Sequence, residues 1–183
     1  SVVLEHALDD AARWYRKGLG VPVAVNVFAP SISDPELPEQ IIDALDRRHL
    51  PPGALTVEIT EDLLLDNLGK TRMVFNKLRD KGIRVAIDDF GSGYSALWYL
   101  REFPVDEVKL DREFIAPVLT HPASAAIVRA VVDLAHALGV TPVAEGVENA
   151  ETANQLLEYG CEVAQGFLYS PPLPASGIEK LLE

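Results

Sequence analysis

Ile87-Asp88-Asp89-Phe90-Gly91-Ser92-Gly93-Tyr94 is the stretch that decides how this chain is read. A β-prone apolar run, Ile83 to Ile87, leads into two adjacent carboxylates, then a Phe and a Gly-Ser-Gly loop. Two neighbouring Asp at a strand end repel each other unless positive charge sits between them. A divalent metal is the usual remedy, and two metals let each Asp take a separate role. The glycines permit a tight loop beside that charge. Asp and Gly are also common turn residues, so a solvated turn explains the same stretch. The partners elsewhere in the chain decide between the two readings.

Working outward, apolar runs alternate with helical patterns. Val2 to Lys17 has helical spacing, with Gly18 or Gly20 ending it. Pro22 to Val27 reads as a buried strand, Phe28 to Leu37 as a loop, and Pro38 to Arg48 as a helix. Leu55 to Ile59 is a strand and Lys70 to Lys81 a helix closed by Gly82. After the Asp pair come a short helix, Ala96 to Glu102, and a strand, Val105 to Leu110. A helix over Ala123 to Leu138, a strand over Thr141 to Ala144 and a helix capped by Asn149 follow. Glu162 to Phe167 reads as the last strand, with helix again at the C-terminus. Short buried strands alternating with helices predict parallel α/β architecture. No linker interrupts residues 1–183, so a single domain is expected.

Composition narrows the function classes. Of 183 residues, 48% are hydrophobic and 24% charged, an ordinary globular mixture. One cysteine excludes an intrachain disulfide and fits a reducing, cytoplasmic setting. No apolar run is long enough to span a bilayer. The net charge of −12 argues against general nucleic-acid binding, which needs a basic stripe. A small phosphate ligand remains compatible, because metal ions held by carboxylates present a positive site on an acidic surface.

The polar residues at the strand ends form a series: Asn26, Glu58, Asp88 with Asp89, Lys109, Glu145 and Gln165. In a (β/α) barrel the active site is built at that face. Carboxylates with an Asn amide oxygen are hard donors suited to Mg²⁺ or Mn²⁺. His6, His49, His121 and His136 lie on helices or loops and form no zinc set. Lys109 could steady a water or a phosphate oxygen, or form a simple ion pair. Two metals sharing a carboxylate suit in-line displacement at phosphorus. The residues therefore point to metal-assisted hydrolysis of a phosphate ester, without identifying the ester.

The runs VAVNV, TVEITE, AIDDFGSGYSAL, FPVDEVKLDREF, VAEGVE and EVAQGFL resemble, in order and spacing, the EAL-domain cyclic di-GMP phosphodiesterases. The resemblance covers essentially the whole chain. It implies an α/β fold, a (β/α) barrel of the TIM type, and hydrolysis of cyclic di-GMP to linear pGpG with Mg²⁺ or Mn²⁺. It also implies metal ligation by Asn26, Glu58, Asp88 and Glu145, with Asp89 serving a second metal and the attacking water. Lys109 matches the lysine near that water, and Gln165 a residue of the same site. Glu61 and Glu148 match glutamates that hold the loop after the Asp pair, although a charge at a helix N-terminus accounts for them equally. That loop, Phe90, Gly91, Ser92, Gly93, Tyr94 and Ser95, is implied to link substrate binding with dimerisation. A homodimer and an accompanying regulatory domain are expected partners.

The departures carry their own expectations. The tripeptide Glu-Ala-Leu is absent from these residues; His6-Ala7-Leu8, Asp43-Ala44-Leu45 and Ser95-Ala96-Leu97 do not sit on a strand in the right place. The family's first two strands, one carrying a Glu ligand and a substrate-contacting Arg, are expected to be missing, leaving about six. The chain starts at Ser1, directly in a helical pattern, and reads as part of a longer protein. Impaired catalysis is therefore expected, with a non-catalytic dinucleotide-binding or protein-binding module as the alternative. Phe28 and Pro171 depart from the usual Ser and basic residue. Missing strands leave two sheet edges open, to be covered by a partner, a swapped element or further sequence.

Overall fold

The computed structural model describes residues 2–27, 29–32, 34–60, 68–91 and 96–182. Among these, the strands are β1 (Val23–Asn26), β2 (Leu55–Thr60), β3 (Arg84–Phe90), β4 (Glu107–Leu110), β5 (Thr141–Ala144) and β6 (Val163–Ala164). The helices are α1 (Val2–Arg16), α2 (Ala29–Ile32), α3 (Leu37–Asp46), α4 (Leu68–Asp80), α5 (Ala96–Glu102), α6 (Arg112–Ile115), α7 (Pro122–Leu138), α8 (Ala150–Glu158) and α9 (Ala175–Leu182). The sheet order follows the chain, β1-β2-β3-β4-β5-β6. A doubly wound sheet would reverse direction at a switch point, and a (β/α) barrel does not. Every described pairing is parallel.

Contacts group the chain into two compact units, residues 1–59, 63–85 and 173–183 in one, and 60–62 and 86–172 in the other. In the first unit, α1 turns Leu8, Ala11, Ala12 and Trp14 inward, the i, i+3, i+4 spacing of an amphipathic helix. Ion pairs fasten it to its neighbours: Arg48 of the α3 C-terminus reaches Glu5 at 2.6 Å and Asp9 at 2.7 Å. Lys17 and Arg13 reach Glu179 of α9 at 2.6 and 3.1 Å. β2 is buried along almost its whole length, as a parallel strand covered on both faces should be. Phe75 of α4 is fully buried.

In the second unit, Val128 and Val132 of α7 pack with Leu110, Ile115, Ala144, Leu156 and Cys161 into one core. Gly139 ends α7 in the left-handed conformation (φ 72°) and its N–H returns to Ala135 and His136 carbonyls. Asn149 caps α8, its Oδ1 accepting from the Thr152 N–H at 2.8 Å.

Several elements differ from the sequence reading, among them α6, a single turn of helix it did not include. The segment after β1 contains the one-turn helix α2, anchored by the buried Ile32. β6 stops at Ala164 rather than Phe167, because Gly166 turns the chain (φ 154°) against the Val147 backbone. β3 does not end before the aspartates but carries both of them to Phe90. Solvent reaches the two terminal strands, β1 and β6, far more than β2. β1 also borders a cavity of about 640 Å³ whose lining includes Leu4, Ala7, Asn26, Leu37 and Ile41. This agrees with the expected open edges. No described helix is long and apolar enough to cross a membrane.

Candidate metal centre

The aspartate pair poses a geometric problem. Along a regular strand, successive side chains point to opposite faces, so Asp88 and Asp89 should diverge. The ladder shows how they do not. Ile87 pairs with Val108 and Phe90 with Leu110, so three steps on β3 oppose two on β4. The extra residue is a β-bulge, and Asp89 takes a left-handed backbone (φ 53°) within it. Ile87 and Phe90 both stay in the core. One inserted residue thus turns two consecutive carboxylates toward the same place without disturbing the apolar positions on either side.

Lys109, on neighbouring β4, is itself buried and supplies the positive charge. Its Nζ lies 3.0 Å from Asp88 Oδ1 and 2.7 Å from Glu145 Oε1, the latter at the end of β5. Asp88 Oδ1 also accepts the Asp89 N–H at 3.2 Å. Gln165 donates its amide to the same Glu145 oxygen that Lys109 engages. Carboxylate oxygens of Asp88, Asp89 and Glu145 all lie within 4.8 Å of one another, close enough to share a cation. Burial pushes the Asp89 carboxyl above its ordinary range, and the charges of Asp88 and Asp111 add to this against the pull of Lys109. Burial also raises Glu145, opposed by the hydrogen bond and charge of Lys109.

In the first unit, Asn26, the last residue of β1, is in direct register with Glu58, two residues before the end of β2. The Asn26 amide donates to Glu58 Oε2 at 3.3 Å, and Glu58 is buried although charged. Glu148 is not a helix N-terminal charge alone: it pairs with Arg112 at 2.6 Å. Phe28, Glu61 and the loop positions Ser92, Gly93, Tyr94 and Ser95 lie outside the described residues.

The sequence reading missed Asp111. Its carboxylate caps α6, accepting the Glu113 N–H at 2.6 Å, and its negative charge helps hold the Asp89 carboxyl up. The signal was present, since Lys109 and Asp111 flank Leu110 at the period of two that sets one face of a strand.

Acidic residues grouped round a buried lysine, at the C-terminal ends of sequential parallel strands, define an incomplete (β/α) barrel of the TIM type with a centre suited to hard divalent cations. The EAL domain family matches residues 1–172, and the chain belongs to that family. Cyclic di-GMP phosphodiesterase RocR of Pseudomonas aeruginosa is 42% identical over 158 residues, covering 85% of this chain and 40% of RocR. The crystal structure of the EAL domain of Mycobacterium smegmatis DcpA superposes with a TM-score of 0.94 at 40% identity, covering 98% of this chain and 82% of that one. The manganese/cy-diGMP complex of Klebsiella pneumoniae BlrP1 gives 0.83 at 35% identity, covering 92% and 44%. The chain spans 22% and 40% of the length of two curated relatives it matches.

Proposed function

We propose that this chain is the metal- and substrate-binding part of a cyclic di-GMP phosphodiesterase, acting on one phosphodiester to give linear pGpG. The observation that carries the reading is the Asp88, Asp89 and Glu145 cluster with Lys109 set between two of its members. Its all-oxygen donor set fits Mg²⁺ or Mn²⁺. The family resemblance extends that set to Asn26 and Glu58. When bound, the ions supply Lewis-acid activation of a water and neutralise phosphate charge.

The chain's own residues do the rest. Asp89 serves as the base that takes the proton of the attacking water. Lys109 holds one oxygen each of Asp88 and Glu145, fixing both carboxylates without a hydration shell. Gln165 fixes Glu145 from the other side. The family resemblance assigns Glu61 and Glu148 to the loop that follows the Asp pair, and assigns that loop to association of two copies.

These residues contain no Glu-Ala-Leu tripeptide, so we infer slow turnover by them alone. The same observation favours a second reading, a module that binds the dinucleotide without cleaving it. Incubation with cyclic di-GMP and Mn²⁺, followed by chromatography for pGpG, separates the two, with calorimetry for binding. Slow turnover abolished by Asp88→Ala is the expected result. Binding without turnover supports the second reading, and neither binding nor turnover overturns both.

A further inference from the structure

The short helix α6 touches both carboxylate-bearing strand ends. Its cap residue Asp111 lies near enough for its charge to act on Asp89. Phe114 lies against Gly91, two residues past Asp89: a methyl group added at Gly91 would sit 2.7 Å from the ring Cε2, and the glycine has φ 105°. Arg112 lies across Gly146, next to Glu145: a methyl group there would sit 2.5 Å from its Cγ and 2.9 Å from Cβ and Cδ, again at positive φ (66°). Contacts under 3 Å leave no room for a side chain, so both glycines are required by what α6 lays over them. Beyond Gly146 the Arg112 guanidinium reaches Glu148 at 2.6 Å, an exposed pair worth little by itself. The Glu145 N–H, meanwhile, donates to the Leu110 carbonyl at 3.1 Å, just before the α6 cap.

We propose that α6 is a staple between the Asp88-Asp89 end of β3 and the Glu145 end of β5, with Phe114 and the aliphatic stem of Arg112 as its positioning residues. Neither touches the reacting atoms. They fix the spacing of the carboxylates by pinning the backbone just beyond each. The consequence for metal affinity rests on the metal reading above; the mechanical coupling does not.

The test uses the full chain with two readouts. Mn²⁺ affinity is measured by calorimetry, and amide hydrogen exchange is measured without metal. Arg112→Ala and Phe114→Ala should each weaken Mn²⁺ binding about 10-fold, the usual effect of losing a residue that orients ligands. Arg112→Met, which keeps the stem and loses the charge, should stay within about 3-fold of wild type, because exposed ion pairs contribute little. Arg112→Ala should also speed exchange at the Phe90 and Gly91 amides, on the strand end that Phe114 rather than Arg112 covers. A merely local role would speed exchange only at residues 145–148. Wild-type exchange at Phe90 and Gly91 in Arg112→Ala overturns the staple, as does Arg112→Met losing as much affinity as Arg112→Ala. If Phe114→Ala does not fold, Phe114→Leu serves in its place. Absence of Mn²⁺ binding by the wild type overturns the metal reading, and the exchange result then decides the staple.

Discussion

Replacing Lys109 by Met should leave Asp88 and Glu145 facing each other with their shared cation gone. Both carboxylates and the lysine are largely buried. At separations of 3.0 and 2.7 Å, each attraction is about 5–6 kcal/mol at an effective dielectric of about 20. Much of that offsets the cost of taking Lys109 out of water, so the net loss is smaller. Removing one partner of a buried ion pair costs roughly 3–5 kcal/mol. Protonation of a carboxylate relieves part of it, which puts the expected loss near 3 kcal/mol. For a chain of this length that is a fall of about 6–12 °C in melting temperature. The loss must depend on pH. Loss of Lys109 lets the folded-state pKa of Glu145, already held up by burial, rise further above its unfolded value. The folded variant then binds more protons than the unfolded chain between those limits, and stability rises as pH falls toward the unfolded value of about 4. Thermal melts at neutral pH and at about pH 5 should therefore show the deficit shrinking on acidification. Saturating Mn²⁺ should shrink it at neutral pH, since the metal replaces the missing charge. A variant that melts within about a degree of wild type at neutral pH would refute the reasoning, as would a deficit indifferent to both acid and metal.

Three further outcomes follow from single contacts. Asp89→Gly relieves a left-handed residue and a like-charge neighbour; metal-free stability in urea should rise by about 1 kcal/mol while calorimetric Mn²⁺ binding disappears. Asn149→Ala removes the cap of α8 and should cost about 1 kcal/mol, seen as a lower denaturant midpoint at unchanged slope. Burial holds the Cys161 thiol above its ordinary range, so a thiol reagent should label it no faster than the chain opens. Because the unfolded thiol ionises first, urea midpoints should fall as pH rises past about 8.5.

Much of the fold could be read from the chain because its signals are local. Asn149 and Gly139 mark helix ends by chemistry that acts within a few residues, and both act as expected. The Asp pair, Lys109, Glu145 and Gln165 stood out because carboxylates, a lysine and an amide at buried strand ends need partners, and the structure brings these together. What escaped depends on contacts distant in sequence. The bulge at Asp89 is defined by a ladder with β4 that no local pattern reveals. Helix α6 is too short for periodicity, and its hold on Gly91 and Gly146 joins residues more than twenty apart. The early end of β6 comes from Gly166 packing on Val147, which composition cannot show. The reading of the loop after Asp89 as the seat of dimerisation came from family resemblance rather than from physics.

The bulge also changes how this centre can be gained or lost. Between Ile87 and Phe90, two residues of β3 stand opposite one of β4. Deleting Asp89 would bring those counts into step and give an uninterrupted ladder. Ile87 and Phe90 would keep their inward alternation, and the apolar interior would lose nothing. In genetic terms the difference between a bare scaffold and one with paired carboxylates is a single codon. A three-nucleotide insertion or deletion here toggles chemistry while leaving foldability intact, which no substitution of Phe90 or Ile87 could do.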